Sequence, residues 1–262
     1  MAMEQALGRV AGKKALVTGA AQGLGAAIAA MLVREGAEVV LADINRAGAD
    51  ETAKAINAAA GAQRAHAITL DVSDAAAWAP AIAEAAAAMN GLSVLVNNAG
   101  IAPVGSIESL DPAEWDRTMA INVDSVFHGC RAALPVMREH GPGAIVNISS
   151  IAGLIASHAF VAYNASKAAV WMLTKSIALH CAREGYDIRC NSVHPTFVRT
   201  PLLRGLARGT DEEREAKLAR QVPIGRIAEP DDVAYAVLYL ASDESRMMIA
   251  AELKLDGGIS AM

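Results

Sequence analysis

Short apolar runs alternate along this chain with longer stretches whose apolar positions recur at helical spacing. Lys14–Thr18 reads as a first strand. A helix follows from Gly23 to Glu35, with Ile28 and Leu32 on its inward face and Gly36 as its stop. Glu38–Ala42 is a second strand that ends at Asp43, and a helix over 47–59 comes next. Ala67–Leu70 predicts the third strand, with Ser73 as N-cap of the following helix, and Leu92–Val96 the fourth. Pro112–Glu139 reads as a long helix, irregular near Asn122 and Pro135. Ala144–Ile148 is strand five, followed by a helix carrying Tyr163 and Lys167, and strand six ends near Val193. Pro230–Ala241 is helical and Glu252–Leu255 is the last strand.

Repeated strand–helix units predict an α/β fold: one Rossmann-type domain over 1–262, with a doubly wound parallel sheet flanked by helices. Right-handed crossovers then place the functional loops beyond the strand C-termini. The Ala75–Ala88 region is alanine-rich, but Trp78, Ile82 and Met89 give it a packing face. Residues 195–220 read as a substrate-covering segment. Leu202, Leu203 and Leu206 form its inner face, and Asp211, Glu212, Glu213 and Arg214 its solvated face.

Composition narrows the function classes. The chain has 262 residues, 53% hydrophobic and 19% charged, which argues against disorder. A net charge of −5 and the absence of a basic stripe argue against a nucleic-acid partner. No apolar run is long enough for a membrane span, and the first ten residues lack the apolar region of a secretory signal. Cys130, Cys181 and Cys190 lack metal-motif spacing and do not make a disulfide framework, so no metal is expected and a reducing cytoplasm is the expected compartment.

The chemistry sits at the strand ends. Thr18-Gly19-Ala20-Ala21-Gln22-Gly23-Leu24-Gly25 follows the first strand directly. Gly19 permits a tight turn, and Gly23 and Gly25 permit close approach of backbone, helix and phosphate. The helix N-terminus supplies amide donors for a pyrophosphate, while Thr18 and Gln22 help organise the turn. Asp43 stands where a carboxylate accepts both ribose hydroxyls of NAD and repels the extra phosphate of NADP; Arg46 nearby is the one residue that argues the other way. Asp71 can bind the adenine amino group, with Val72 packing the ring, or it can cap a helix. Asn97 and Gly100 are candidates near the adenosine ribose, and Ala99 is a further cofactor-binding candidate. Asn98 reads as a brace between strands.

Tyr163 and Lys167 share a helix face at i and i+4. A phenol titrates ordinarily near about 10, and a nearby ammonium favours its ionised form. Tyr163 would accept the hydroxyl proton in alcohol oxidation and donate it in ketone reduction. Ser150 or its neighbour Ser149 can hold the substrate oxygen. Lys167 can also bind the nicotinamide ribose, and Asn122 can pin a water beside it.

These residues resemble the classical short-chain dehydrogenase/reductase family over nearly the whole chain, Lys14 through Gly258. Its Thr-Gly-x-x-x-Gly-x-Gly motif is similar to Thr18–Gly25, and its Asn-Asn-Ala-Gly motif to Asn97–Gly100. Its catalytic pattern maps to Asn122, Ser150, Tyr163 and Lys167. The resemblance implies a seven-stranded sheet, Ser150 in preference to Ser149, and Pro195, Val198 and Thr200 close to nicotinamide. It also implies a homotetramer. Many members have Pro-Gly where this chain has Pro195-Thr196, which puts a side chain beside the nicotinamide pocket.

The substrate pocket is expected to draw on Ile101, Pro103, Val104, Ile151, Leu154, Ile155, Thr196, Phe197, Leu202 and Leu206, with Ile151 also suited to the core. An apolar lining suits a hydrophobic ring or chain. Asn191–Pro195 and Ala241–Ser245 resemble bacterial hydroxysteroid and cyclic-alcohol dehydrogenases. The leading expectation is therefore NAD(H)-dependent oxidation or reduction of a hydrophobic, cyclic or steroid-like secondary alcohol or ketone. A 3-oxoacyl-thioester reductase or broad carbonyl reductase is the alternative enzyme reading, and a non-catalytic nucleotide-sensing scaffold the alternative outside enzymes.

Overall fold

The computed structural model describes residues 8–205 and 210–262. Seven strands form one parallel sheet: β1 Lys14–Thr18, β2 Glu38–Asp43, β3 Ala65–Thr69, β4 Val94–Asn97, β5 Gly143–Ile148, β6 Ile188–Pro195 and β7 Glu252–Leu255. Their spatial order is β3-β2-β1-β4-β5-β6-β7. The order reverses between β1 and β4, and the crevice outside those strand ends is where such sheets bind ligands. Sequence analysis anticipated all seven strands. β3 starts two residues before the expected run, at Ala65, because His66 interrupts the apolar pattern; β4 starts two residues after it, because the buried Leu92 extends that pattern beyond the paired residues.

Helices cover both faces. On one, α1 (Gly23–Arg34) and α2 (Arg46–Ala60) bury Ile28, Leu32 and Ile56 over the β1–β3 half of the sheet, and α8 (Pro230–Ala241) buries Val237 and Leu240 over β5 and β6. On the other, α3 (Trp78–Met89), α5 (Ser125–Glu139) and α6 (Val161–Arg183) bury Trp78, Ile82, Met89 and Met137. The Trp78 indole is fully buried and donates to Val72 O at 3.0 Å, so the bulky ring leaves no unmet donor. The expected packing face of the alanine-rich stretch is therefore real. Its cap is not Ser73. Asp74 caps a short 3-10 turn by accepting from Ala76 N (2.9 Å), and Ser73 N–H and O–H both donate to Asp71. A carboxylate at that position reaches the first-turn amides with charge assistance, which a hydroxyl lacks.

The long helix breaks where Asn122 sits. α4 (Pro112–Met119) passes through a π-helical turn at Ala120–Asp124 into α5. Such a bulge re-aims side chains and is frequent at functional sites. Here it turns Asn122 inward, 1% exposed. The covering segment begins with a 3-10 turn at Pro201–Gly205 and ends in α7, Asp211–Ala219. Thr210 closes a capping box with Glu213 at the start of α7. Leu206 lies outside the described residues.

Candidate active site

A single cleft of about 1550 Å³ runs across the strand C-termini. Its wall carries the glycine turn, Asp43, Asp71, Val72, Ala99, Gly100, Ser150, Tyr163, Lys167 and the stretch after β6. It is larger than the about 300–1,000 Å³ of a drug-sized pocket, as a dinucleotide beside a substrate requires.

The glycine turn fits a pyrophosphate. Gly19 and Gly23 adopt φ of +64° and +58°. A Cβ at Gly19 would meet Ala99 Cα at 2.9 Å, and one at Gly25 would meet Gly19 O at 2.3 Å. Gln22 is the N-cap residue of α1, but its side chain makes no cap bond and no acidic residue occupies the first turn. The first amides of α1 are thus left for an anion. Gln22 lines the cleft without organising the turn through a cap. Thr18 does the organising: its Oγ1 accepts from Asn98 N (3.0 Å) and Ala99 N (3.1 Å).

Asp43 is fixed by backbone donors on both sides, Ala21 N to Oδ2 at 3.0 Å and Asn45 N to Oδ1 at 2.9 Å. Its carboxylate lines the cleft. Arg46 is turned along α2 to Asp50 at 3.0 Å. Asp71 lines the cleft while accepting from Ser73. Asn98 Nδ2 donates to Thr18 O (2.8 Å) and Gly19 O (3.2 Å), the expected strand brace.

Asn97 is not at the ribose. Alternation along β4 sends it to the opposite face, where it is 5% exposed and donates to Asn147 Oδ1 at 2.8 Å. Gly100 does lie on the cleft; a Cβ there would stand 3.2 Å from Asn122 Oδ1 and 3.5 Å from Lys167 Nζ.

At the chemical end the two serines separate. Ser149 Oγ donates to Lys167 O at 2.8 Å and serves the α6 backbone. Ser150 Oγ accepts from Ala152 N (3.1 Å) and donates to Pro195 O (3.5 Å) on the same cleft wall as Tyr163. Burial holds the Tyr163 phenol above its ordinary range, and the neighbouring Ser150 hydroxyl pulls the other way. Lys167 Nζ donates to Ile148 O at 2.8 Å and stands 5.7 Å from the Tyr163 ring centroid. Burial lowers the ammonium to about 8. The ammonium was expected to favour the ionised phenol; in the folded chain desolvation is the largest influence on both groups. Asn122 is locked on three sides: Oδ1 accepts from Ile101 N (2.9 Å), and Nδ2 donates to Ile101 O (2.9 Å) and Ser166 Oγ (3.0 Å). Its side chain is therefore spent on the scaffold, and it sits beside Gly100 rather than on the cleft wall.

At the end of β6 and beyond it, Pro195, Thr196, Phe197, Val198 and Thr200 all line the cleft. Val198 forms an isolated parallel bridge with Ala228, carried by Phe197 O and Arg199 N. Its own backbone groups consequently face the other way. Thr196 Oγ1 is buried without a partner.

Ile101, Ile151, Ile155, Phe197 and Leu202 line the substrate side, but Pro103, Val104 and Leu154 do not. Leu203 is 7% exposed and packs with Leu218 and Ile227, so it anchors the covering segment as well as lining the cleft. Asp211, Glu212 and Glu213 are solvated as expected, whereas the Arg214 side chain is only 11% exposed. Sequence reasoning missed Ile44, Leu70, Ile259 and Met262. Ile44 directly follows the second predicted strand and Leu70 ends the third, a signal that was available; the C-terminal pair carried none.

Among the described residues, no helix is long and apolar enough to cross a membrane, and no group of three potential metal ligands converges. Cys130, Cys181 and Cys190 are buried free thiols.

Comparison with known proteins agrees with this geometry. A family model described as Enoyl-(Acyl carrier protein) reductase matches residues 19–260. The chain is 41% identical to an NADP-dependent (R)-specific alcohol dehydrogenase of Lentilactobacillus kefiri, covering 97% of this chain and 98% of that one. It is 46% identical to a 3-alpha-(or 20-beta)-hydroxysteroid dehydrogenase of Mycobacterium tuberculosis, covering 96% and 90%. A crystal structure from Sinorhizobium meliloti 1021, described as a short-chain alcohol dehydrogenase, superposes with a TM-score of 0.89 at 32% identity, covering 96% and 97%. The chain belongs to the classical short-chain dehydrogenase/reductase family.

Proposed function

We propose that this protein is an NAD(H)-dependent oxidoreductase that interconverts a hydrophobic, cyclic or steroid-like secondary alcohol and its ketone. The carrying observation is one cleft that holds the Ser150–Tyr163–Lys167 group at one end and the Asp43 carboxylate at the other. Bound nicotinamide supplies or receives the hydride. Tyr163 exchanges the proton with the substrate oxygen, and Ser150 holds that oxygen by a hydrogen bond. Lys167 keeps a cation behind the phenol, favouring its ionised form once the alcohol has to be deprotonated. Asn122, clamped to Ile101 and Ser166, supports this end of the cleft and the path for the proton beside Lys167.

The choice of NAD(H) rests on Asp43. Its charge opposes a 2′-phosphate, and Arg46 is occupied by Asp50. The Lentilactobacillus relative is named for NADP, so the family name alone does not decide the cofactor. The apolar side chains Ile155, Phe197 and Leu202 suit a ring system, in keeping with the steroid activity named for the mycobacterial relative.

Residues 195–220 cover the substrate. Arg199 joins α7 to the scaffold through Glu215 and through Glu229 at 3.0 Å. Exposed pairs of this kind are individually weak, so the cover can open. Exposed apolar side chains on α5 and α6, Phe127, Met172 and Leu179, favour self-association, which we take to be a homotetramer. Buried free thiols fit a reducing cytoplasm.

The test is a substrate panel run with NAD(H) and NADP(H) separately, spanning cyclic ketones, hydroxysteroids, aryl alkyl ketones and oxoacyl thioesters. Turnover of cyclic ketones with a clear NADH preference is expected. Arg117, Lys217 and Arg220 at the cleft keep the thioester reading in the panel. Exclusive turnover of thioesters with NADPH would replace the proposed function.

A further inference from the structure

The position of Ser150 is held by a residue outside the Ser–Tyr–Lys group. The backbone ladder between β5 and β6 ends with Ser149 N–H donating to Val193 O at 2.9 Å. Ser150 is one step beyond it. From there a side chain takes over the pairing: His194 Nδ1 lies 3.1 Å from Ser150 O. That carbonyl also accepts from Gly153 N at 3.0 Å.

The tautomer follows from the partners. A carbonyl oxygen can only accept, so the ring proton is on Nδ1. Nε2 is then an acceptor, and it lies 2.8 Å from Ser192 Oγ, whose proton it takes in preference to Ala251 O at 3.4 Å. Ser192 and His194 are two apart on β6 and so share a face, both fully enclosed. Trp171 of α6 packs edge-on against the imidazole, centroids 6.3 Å apart. The indole N–H donates to Glu252 on β7, which pairs with Lys175 at 3.2 Å. Burial lowers the His194 pKa, keeping the ring neutral as this bonding requires.

We propose that His194 is a positioning residue: its Nδ1–H fixes the Ser150 backbone, and with it the direction in which the Ser150 hydroxyl meets the substrate oxygen. This proposal rests on the dehydrogenase/reductase reading of the cleft. The sequence segment Asn191–Pro195 supplies the histidine, but nothing in its spacing shows that the ring reaches across to strand five.

The experiment is a double-mutant cycle on steady-state ketone reduction. His194→Leu is expected to lower kcat about tenfold, part of the about 10²–10³-fold loss from deleting a donor to the substrate oxygen. The dissociation constant for NADH, read by fluorescence without turnover, should stay within about twofold. In a Ser150→Ala background the same change should cost less than about twofold, because the group it orients is gone. His194→Asn keeps a donor at the Nδ1 position and should recover to within about threefold of wild type; His194→Gln, which reaches past it, should not. A nitrogen-15 spectrum of the imidazole should place the proton on Nδ1. Equal losses with and without Ser150, or an asparagine variant as impaired as leucine, overturn the proposal, as does a proton found on Nε2. If the leucine protein does not fold, Ser192→Ala replaces it in the cycle. A loss confined to the Ser150 background is then expected, and a loss in both backgrounds overturns the proposal. A wild type silent on every substrate overturns the reading of the cleft and this proposal with it; an active wild type with additive losses overturns this proposal alone.

Discussion

Replacing Asp43 by asparagine keeps the side-chain shape and deletes its charge. The carboxylate now accepts from Ala21 N and Asn45 N at 3.0 and 2.9 Å, so its position is fixed before any nucleotide arrives. A 2′-phosphate of about −1.5 to −2 charge, at about 5 Å and an effective dielectric near 40, would be repelled by roughly 2.5–3.3 kcal/mol. Removing that term favours NADPH by roughly 100-fold. The ribose hydroxyls of NADH meanwhile exchange a charged acceptor for a neutral one, a loss of about 1 kcal/mol or fivefold. The ratio of kcat/KM for NADH to that for NADPH is therefore expected to fall by about two to three orders of magnitude. The assay measures both ratios on one ketone, with nucleotide dissociation constants measured separately. The asparagine amide must turn its NH₂ toward one of the two backbone donors, so a melting curve accompanies the assay. A ratio unchanged within about threefold in a folded variant would refute the role given to Asp43.

The Lys167 ammonium is lowered to about 8 by burial, below its unfolded value, so the unfolded chain binds the extra proton between about pH 8 and 10.5 and stability rises with pH across that window. Below it the buried charge costs the fold roughly 3 kcal/mol, partly offset by the bond to Ile148 O. Lys167→Met should thus melt a few degrees higher near pH 7, with the gain shrinking towards about pH 9.5, before the raised phenol of Tyr163 enters; a variant that melts lower, or a difference flat in pH, would contradict this. Gly25→Ala places a Cβ 2.3 Å from Gly19 O, a backbone atom that cannot step aside. It should weaken nucleotide binding by more than about tenfold and destabilise the fold by about 1–3 kcal/mol; calorimetric binding within twofold of wild type would show that the turn does not cradle the pyrophosphate.

Local chemistry made much of this architecture readable. The apolar strands, the glycine turn and the Tyr163–Lys167 spacing each depend on near neighbours in the chain, so period and composition carry them. Asp43 was placed because it ends a strand beside the glycine turn. Asn97 was misplaced because a one-residue choice of strand face moves a side chain through the sheet, and two adjacent asparagines give no sign of which faces which way. Ser149 and Ser150 posed the same problem, and only the family pattern separated them before the α6 carbonyl was seen to take Ser149. The burial that raises the Tyr163 phenol was not legible, because desolvation depends on what the fold packs around a group, which no spacing reveals. Ile259 and Met262 reach the cleft only because β7 lies beside β6, a long-range pairing invisible in the C-terminal residues themselves.

The central claim is that the Tyr163 hydroxyl carries the proton. Its most direct test is the single-turnover rate of Tyr163→Phe with NADH and a ketone that the wild type reduces. The account predicts a fall of about 10²–10⁴-fold with nucleotide affinity within about threefold. A phenylalanine enzyme that reduces the ketone at the wild-type rate would contradict it.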